Sequence, residues 1–148
     1  MRKTTILSNI LCAVMIAVYS IFLMMSWPKI PDTVPSHFDA FGNPDSYGGK
    51  WVLVLEPVLS LLLWGLIAIV RKFPNVWNFP VKVTEKNRER LYEIGNRMMD
   101  LLMPMVVFLM IYIGAAGICP LPVLLIYLVL AAMAGDIVVS MIQMIKAK

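Results

Sequence analysis

Four long apolar runs divide the chain. They cover residues 5–25, 51–70, 98–118 and 122–145, and each reaches the ~20 residues that a helix needs to cross the hydrocarbon layer of a bilayer. Backbone groups in lipid have no water to bind, so an apolar segment satisfies them within itself only as a helix. Transmembrane barrels show short segments of alternating polarity instead. The pattern predicts an all-α membrane protein with four transmembrane helices.

Composition supports the membrane class. Hydrophobic residues make up 60% of the chain and charged residues 15%, whereas soluble domains carry about a quarter charged residues. Four crossings use most of the 148 residues. We therefore predict a single membrane domain over residues 1–148, with no separate soluble domain.

Basic residues are distributed unevenly between the connections. Arginine and lysine favour the cytoplasmic loops and tails of membrane proteins. Most of them lie in the two tails and in the connection 71–97, and only Lys29 and Lys50 lie in residues 27–50. This predicts a multi-pass protein of the cytoplasmic membrane, with both termini cytoplasmic and residues 27–50 extracytoplasmic. Attraction of the basic residues to anionic lipid explains the net charge of +4, so we predict no nucleic-acid partner.

The polar stretch at residues 27–50 has the composition of an ordered loop and contains the only histidine, His37. Pro28, Pro31 and Pro35 restrict the backbone around them. The letters "FGNPDSYGG" supply residues that favour turns. We predict an extracytoplasmic loop of fixed shape between the first and second helices.

Within this stretch, "PDTVPSHFDAFGNPDSYGGK" resembles the motif of the domain of unknown function DUF1648. The residues that match the motif, as ligand-binding or structural residues, are Pro31, Asp32, Pro35, His37, Phe38, Asp39, Gly42, Asp45 and Lys50. The resemblance implies a small bacterial membrane protein. It also implies a relation to the SdpI family, whose best-known member gives immunity to a secreted toxic peptide and transduces a signal.

His37 has three interpretations from the sequence. Its imidazole forms a structural hydrogen bond to Asp39, Asp45 or the loop backbone; it joins Asp32, Asp39 or Asp45 in a cation site; or it contacts an external peptide or lipid. No second histidine or cysteine completes a usual transition-metal set. We predict no metal site and no cofactor.

Three acidic residues lie in or beside the apolar runs, where a charge is costly and marks a candidate for function. Glu56 lies ~8 Å into the second helix at 1.5 Å per residue. Asp100 begins the third run, and Arg97, three residues earlier, is its simplest partner. Asp136 needs a partner from another helix, such as Asn9 or Arg97; the alternative is a proton- or cation-sensitive role.

Small residues predict which helices approach closely. They cluster in the third and fourth runs, at Gly114, Ala115, Gly117, Ala131, Ala132, Ala134 and Gly135. The turn between those runs is very short. These residues permit close backbone approach in a tight bundle, and the short turn predicts an antiparallel hairpin of the third and fourth helices.

The functional prediction combines the loop with the resemblance. We expect the extracytoplasmic loop to recognise or respond to an envelope ligand, such as a toxic peptide, or a lipid. The alternative is a small ion or solute transporter subunit that acts as a homo-oligomer, because four helices form a poor route on their own. His37 has no evident nucleophile beside it, and we predict that the protein is not an enzyme. In either case we predict that the lipid bilayer is a partner.

Overall fold

Four helices form the structure, a computed structural model that describes residues 2–148. They are α1 (Lys3–Ser26), α2 (Val52–Val70), α3 (Arg88–Ala116) and α4 (Leu124–Lys146). Each is long and apolar enough to cross a membrane, which confirms the predicted four-helix membrane fold. Successive helices run in opposite directions, so the 27–50 segment and the α3–α4 turn lie at one end of the bundle. We call this the hairpin end and the opposite one the basic end.

The third helix is longer than its apolar run. It begins at Arg88 and continues through Pro104 to Ala116. Asn87 holds the chain just before it, because its side-chain oxygen accepts a hydrogen bond from the Thr84 N–H (2.7 Å) and its amide donates to the Lys82 carbonyl (3.1 Å). A polar first segment therefore leads without a break into the membrane span.

The centre of the bundle is α3. It packs against α1, α2 and α4, whereas α1 and α2 touch each other much less. Within the described residues, α4 has α3 as its main helical neighbour. Most side chains of α4 therefore face away from the other helices, towards lipid.

Buried side chains form separate clusters along the bundle. Cys12, Ile16, Met103 and Val107 pack in the middle. Lipid tails are as apolar as these side chains, so their contribution comes from close packing rather than removal from water. At the hairpin end, Val34 lies outside the helices and is 2% exposed. Its burial from water contributes about 1.5–3 kcal/mol, so the cluster there also attaches the 27–50 segment to the bundle.

The segment between α1 and α2 contains two strands that were not predicted. Strands β1 (Thr33–Phe38) and β2 (Pro44–Gly49) pair antiparallel, with Thr33 opposite Gly49 and Phe38 opposite Pro44. Proline and glycine weaken a strand signal in sequence. They fit here because both strands of a two-stranded ribbon are edges, and the register is irregular after Pro35.

The third and fourth helices pack against each other across their short turn, but the small residues of α3 make their closest contacts with other elements. A Cβ at Gly114 would collide with the side chains of Tyr19 and Glu56, on α1 and α2. One at Gly117 would lie 3.0 Å from Leu53 Cδ2 and 3.2 Å from a β1 carbonyl. Gly135 of α4 has nothing within 4 Å of its Cβ position. The small residues of α3 thus admit α1, α2 and the hairpin rather than α4.

At the basic end, the connection between α2 and α3 is irregular apart from a 3-10 turn at Pro74–Val76. The Trp77 indole N–H donates to the Val70 carbonyl at the end of α2 (2.9 Å). A Cβ on Gly95 would lie only 2.8 Å from Cζ3 of the same ring, so only glycine admits the indole here. Trp77 therefore holds the connection against α3.

Candidate functional site

Asp39 organises the tip of the β1–β2 hairpin. Its Oδ1 accepts hydrogen bonds from the backbone N–H groups of Phe41 and Asn43, both at 2.8 Å, and its Oδ2 accepts from the Asn43 amide at 3.2 Å. The donors favour the ionised carboxylate, so the Asn43 backbone N–H, followed by the Asn43 side chain, holds the pKa of Asp39 below its usual value. Gly42 completes the turn with a φ of +84°, where glycine alone is unstrained.

His37 pairs with Asp45 across the hairpin. The imidazole Nδ1 lies 2.5 Å from Asp45 Oδ1, and both side chains are largely in contact with solvent. This geometry matches the structural interpretation of His37, with Asp45 and not Asp39 as the partner. The neighbouring hydroxyls of Ser36 and Ser46 face each other at 3.5 Å.

Asp32 and Lys50 close the base of the hairpin. The Lys50 backbone N–H donates to the Asp32 carbonyl (2.9 Å), and Lys50 Nζ lies 3.0 Å from Asp32 Oδ1. The ammonium group also lies 5.3 Å from the ring centroid of Trp27. The three acids of the motif thus have three different partners. In residues 2–148, no group of three or more His, Cys, Asp or Glu side chains is arranged to hold a metal ion.

A groove separates the hairpin from the ends of α3 and α4, and we call it the hairpin groove. Its volume is about 740 Å³. The lining is mostly apolar and includes Pro31, Pro35, His37, Phe38, Asp39, Gly42, Tyr112, Ala116, Cys119, Ile126 and Tyr127. Asp32, Asp45 and Lys50 are not part of it. The motif therefore divides into residues that line the groove and residues that fix the hairpin from behind.

Two tyrosines that sequence reasoning missed bracket the hairpin groove. The Tyr127 hydroxyl of α4 donates to the Ala40 carbonyl at the hairpin tip. The Tyr112 hydroxyl of α3 donates to the Pro122 carbonyl in the α3–α4 turn (2.9 Å). Gly42 also contacts Val123: a side-chain Cβ added at Gly42 would lie 3.0 Å from the Val123 Cβ. The hairpin thus reaches across α3 to the first turn of α4. A tyrosine near a helix end is only a weak sequence signal for such a contact.

The expected partner of Asp100 is corrected. Its carboxylate pairs with Arg71 at 2.6 Å, not with Arg97, and also accepts from the hydroxyls of Thr4 (2.7 Å) and Thr5 (3.1 Å). Because α3 begins at Arg88, Asp100 lies well inside the helix, facing the start of α1 and the end of α2. The side chain of Asp100 is 2% exposed and that of Arg71 12% exposed.

Glu56 is half-buried beside Tyr19 and Gly114. Pro57 follows it and has no N–H to donate to the carbonyl of Leu53, four residues earlier. The Tyr19 hydroxyl donates to that carbonyl instead (3.3 Å). A side chain of α1 therefore replaces the backbone hydrogen bond that Pro57 removes from α2.

Asp136 lies on α4, where its charged neighbour is Arg97 of α3. Asn9, the other partner considered from the sequence, instead accepts a hydrogen bond from the Trp64 indole N–H (3.0 Å). Asp136 Oδ2 is buried without a hydrogen-bond partner among residues 2–148. Glu56, Asp100 and Asp136 thus occupy separate surroundings and do not meet.

Comparison with known proteins finds an archaeal relative. The chain is similar to an uncharacterized protein from Archaeoglobus fulgidus, with 28% identity over 87 residues. The match covers 49% of this chain and 48% of the relative, so the chain spans about half the length of that protein. No solved structure matches the chain significantly.

The family model of the domain of unknown function DUF1648 matches residues 13–61. That segment runs from α1 through the hairpin to the first half of α2 and includes every motif residue described above. Residues 13–61 are therefore similar to DUF1648, and the β1–β2 hairpin lies in the middle of the matching segment.

Proposed function

We propose that the protein lies in the cytoplasmic membrane with its hairpin end outside and both termini in the cytoplasm. The distribution of basic residues supports this orientation, because cytoplasmic connections are rich in arginine and lysine. Arg2 donates to the Glu93 carbonyl (2.8 Å) and pairs with its carboxylate (3.2 Å). The N-terminal tail and the start of α3 therefore belong to one charged surface at the basic end.

The proposed activity is recognition of an envelope ligand in the hairpin groove. The observation that carries this proposal is the groove itself: about 740 Å³, mostly apolar, at the end of the bundle that faces outward in the proposed orientation. Ligand sites in proteins are concave and apolar, with a few polar groups that fix orientation. His37, Tyr112 and Tyr127 are among the polar residues that line it, with Thr33, Ser36 and Asp39.

A membrane-active toxic peptide is the ligand class that we propose. Such peptides are amphipathic and partition into the interface beside the groove. An apolar residue of the peptide fits between the hairpin and α3, while His37 contacts its polar face. The resemblance to DUF1648, which implies a relation to the SdpI family and its immunity protein, supports the same class. In this role the protein binds the peptide and catalyses no reaction.

Susceptibility of cells to purified amphipathic peptides tests the proposal. Cells that express the protein are expected to survive higher peptide concentrations than cells that lack it. Ala116→Phe, which fills the hairpin groove, and His37→Ala are expected to remove this protection. Ala132→Phe on the lipid-facing side of α4 is the matched control and should retain it. Equal susceptibility of expressing and deleted cells to every peptide, or full protection by Ala116→Phe, contradicts the proposal.

The transporter alternative receives less support from the arrangement of acidic residues. Asp100 is paired with Arg71, Glu56 lies beside Tyr19, and Asp136 lies beside Arg97. A pathway requires polar groups that follow one another across the membrane. Flux in liposomes that is abolished by both Glu56→Gln and Asp136→Asn would favour this alternative over peptide recognition.

A further inference from the structure

A second groove lies between α1 and α2 near the hairpin end, and we call it the α1–α2 groove. Its volume is about 430 Å³ and its lining is almost entirely apolar, with Leu23, Met24, Trp27, Trp51 and Val54 as the main contributors. It forms because α1 and α2 diverge: each packs closely on α3 but touches the other little. The α1–α2 groove is separate from the hairpin groove and opens sideways, towards the bilayer.

Two tryptophans mark the upper end of the α1–α2 groove. The ring centroids of Trp27 and Trp51 are 4.9 Å apart, and Trp51 is 70% exposed. Tryptophan prefers the boundary between acyl chains and head groups. The position of this pair therefore places the groove below it at the depth of acyl chains, and the residues just above it at the depth of phosphates.

Lys50 immediately precedes Trp51 and lies over the ring of Trp27. Its ammonium group is 5.3 Å from the ring centroid of Trp27, a residue that also lines the groove. The side chain of Lys50 is 20% exposed, so its position is restricted by its neighbours. A lysine ammonium is a compact point charge and binds phosphate well.

The ion pair of Lys50 with Asp32 leaves Lys50 able to bind a phosphate. Asp32 lies 3.0 Å from Lys50 Nζ, but its side chain is 94% exposed. Ion pairs in contact with water contribute little, because both ions lose hydration and mobility when they pair. A phosphate anchored by an acyl chain competes with such a carboxylate at a high local concentration.

We propose that the α1–α2 groove binds an anionic phospholipid, with one acyl chain against Leu23 and Val54 and the phosphate on Lys50. An unbranched chain matches a groove that has almost no polar lining and opens into the bilayer. The positive charge at its upper end selects lipids with net negative head groups. This site is independent of peptide recognition in the hairpin groove, and either holds without the other.

Quenching of tryptophan fluorescence by brominated lipid tests this site. The protein is reconstituted with Trp64→Phe and Trp77→Phe, so that Trp27 and Trp51 alone report on the groove. Vesicles of phosphatidylcholine contain the same small fraction of brominated phosphatidylglycerol or brominated phosphatidylcholine. We expect a preference for phosphatidylglycerol of roughly fivefold in occupancy, from one lysine near an anionic surface.

Variants at the upper end of the groove decide the role of Lys50. Lys50→Gln is expected to abolish the preference and Lys50→Arg to keep it, while Lys72→Gln at the basic end is the matched control and leaves it unchanged. Asp32→Asn removes the competing carboxylate and should increase the preference, which tests the proposal even if Lys50→Gln does not fold. Equal quenching by the two lipids, or an unchanged preference in both Lys50→Gln and Asp32→Asn, overturns the proposal.

Discussion

The two ends of the bundle use acidic residues in opposite ways. At the basic end, Asp100 is buried and bound by Arg71, Thr4 and Thr5, which come from the start of α1 and the end of α2. At the hairpin end, Asp45 is exposed and pairs with His37 beside an open groove. The first arrangement joins three helices, whereas the second joins two strands. We infer that the basic end holds the bundle together and that the hairpin end is free to bind.

Replacing aspartate by asparagine at each end gives the largest expected contrast. Asp100→Asn leaves the Arg71 charge buried without its counter-ion, which typically costs about 3–5 kcal/mol. Asp45→Asn affects an exposed pair worth about 0–1 kcal/mol. Reversible unfolding in mixed micelles measures both values. Similar decreases in the free energy of unfolding for the two variants would contradict the proposed difference between the two ends.

Glycine substitutions compare the close contacts of α3 with the open face of α4. Gly114→Ala puts a methyl group against Tyr19 and Glu56, and overpacking of this kind costs about 1–3 kcal/mol. Gly135→Ala is the matched control, because its Cβ meets nothing within 4 Å; alanine there is expected to stabilise α4 by about 0.5–1 kcal/mol. The same unfolding assay measures both. A loss at Gly135→Ala as large as that at Gly114→Ala would show that a partner covers α4.

A substitution of Tyr19 at the hairpin end should change the free energy of unfolding by a smaller amount. Tyr19→Phe removes the donor to the Leu53 carbonyl, and hydrogen bonds between membrane helices average about 0.6 kcal/mol. Pro57→Ala restores a backbone N–H for the same carbonyl. In that background, Tyr19→Phe should cost less, which a double-mutant cycle measures. An unchanged cost would mean that the hydroxyl acts elsewhere, for example on Glu56.

The pH dependence of the hairpin tip is the most local effect. The pKa of Asp39 lies below its usual value of 3.8 because backbone donors hold the ionised form. The contribution of a group with a lowered pKa is fully present above the pKa of the unfolded chain and is lost as pH falls through the folded one. The tip should therefore loosen below pH 3.8, seen as faster amide exchange at Phe41 and Asn43. Asp39→Asn should exchange faster at all pH values; protection that is unchanged in this variant contradicts the assignment.

The number of helices could be predicted because the bilayer determines it. Each apolar run is long enough to cross, and its backbone groups are satisfied within the run only if it is a helix. These two requirements do not determine which helices contact each other. Gly114 and Gly135 both lie among small residues of apolar runs, yet Gly114 is crowded and Gly135 is open. Close approach depends on the partner helix, and apolar composition contains no information about it.

Partners that are distant in sequence were missed for a related reason. The spacing of one helical turn favours Arg97 as the partner of Asp100. The partner in the structure is Arg71, which the antiparallel packing of α2 on α3 brings alongside. The motif residues indicate an ordered segment at the hairpin, but their low strand propensity does not predict β1 and β2. Tyr127 could not be predicted, because its bond to Ala40 exists only when the hairpin reaches α4.

Labelling from outside intact cells tests the central claim that the hairpin end faces outward. Cys12 and Cys119 are first replaced by serine, and a single cysteine is introduced by Ser46→Cys in β2 or by Lys86→Cys in the basic connection; both positions are exposed. A membrane-impermeant maleimide is expected to label Ser46→Cys in intact cells and Lys86→Cys only after permeabilisation. Labelling of Lys86→Cys in intact cells, with Ser46→Cys protected, would contradict the account.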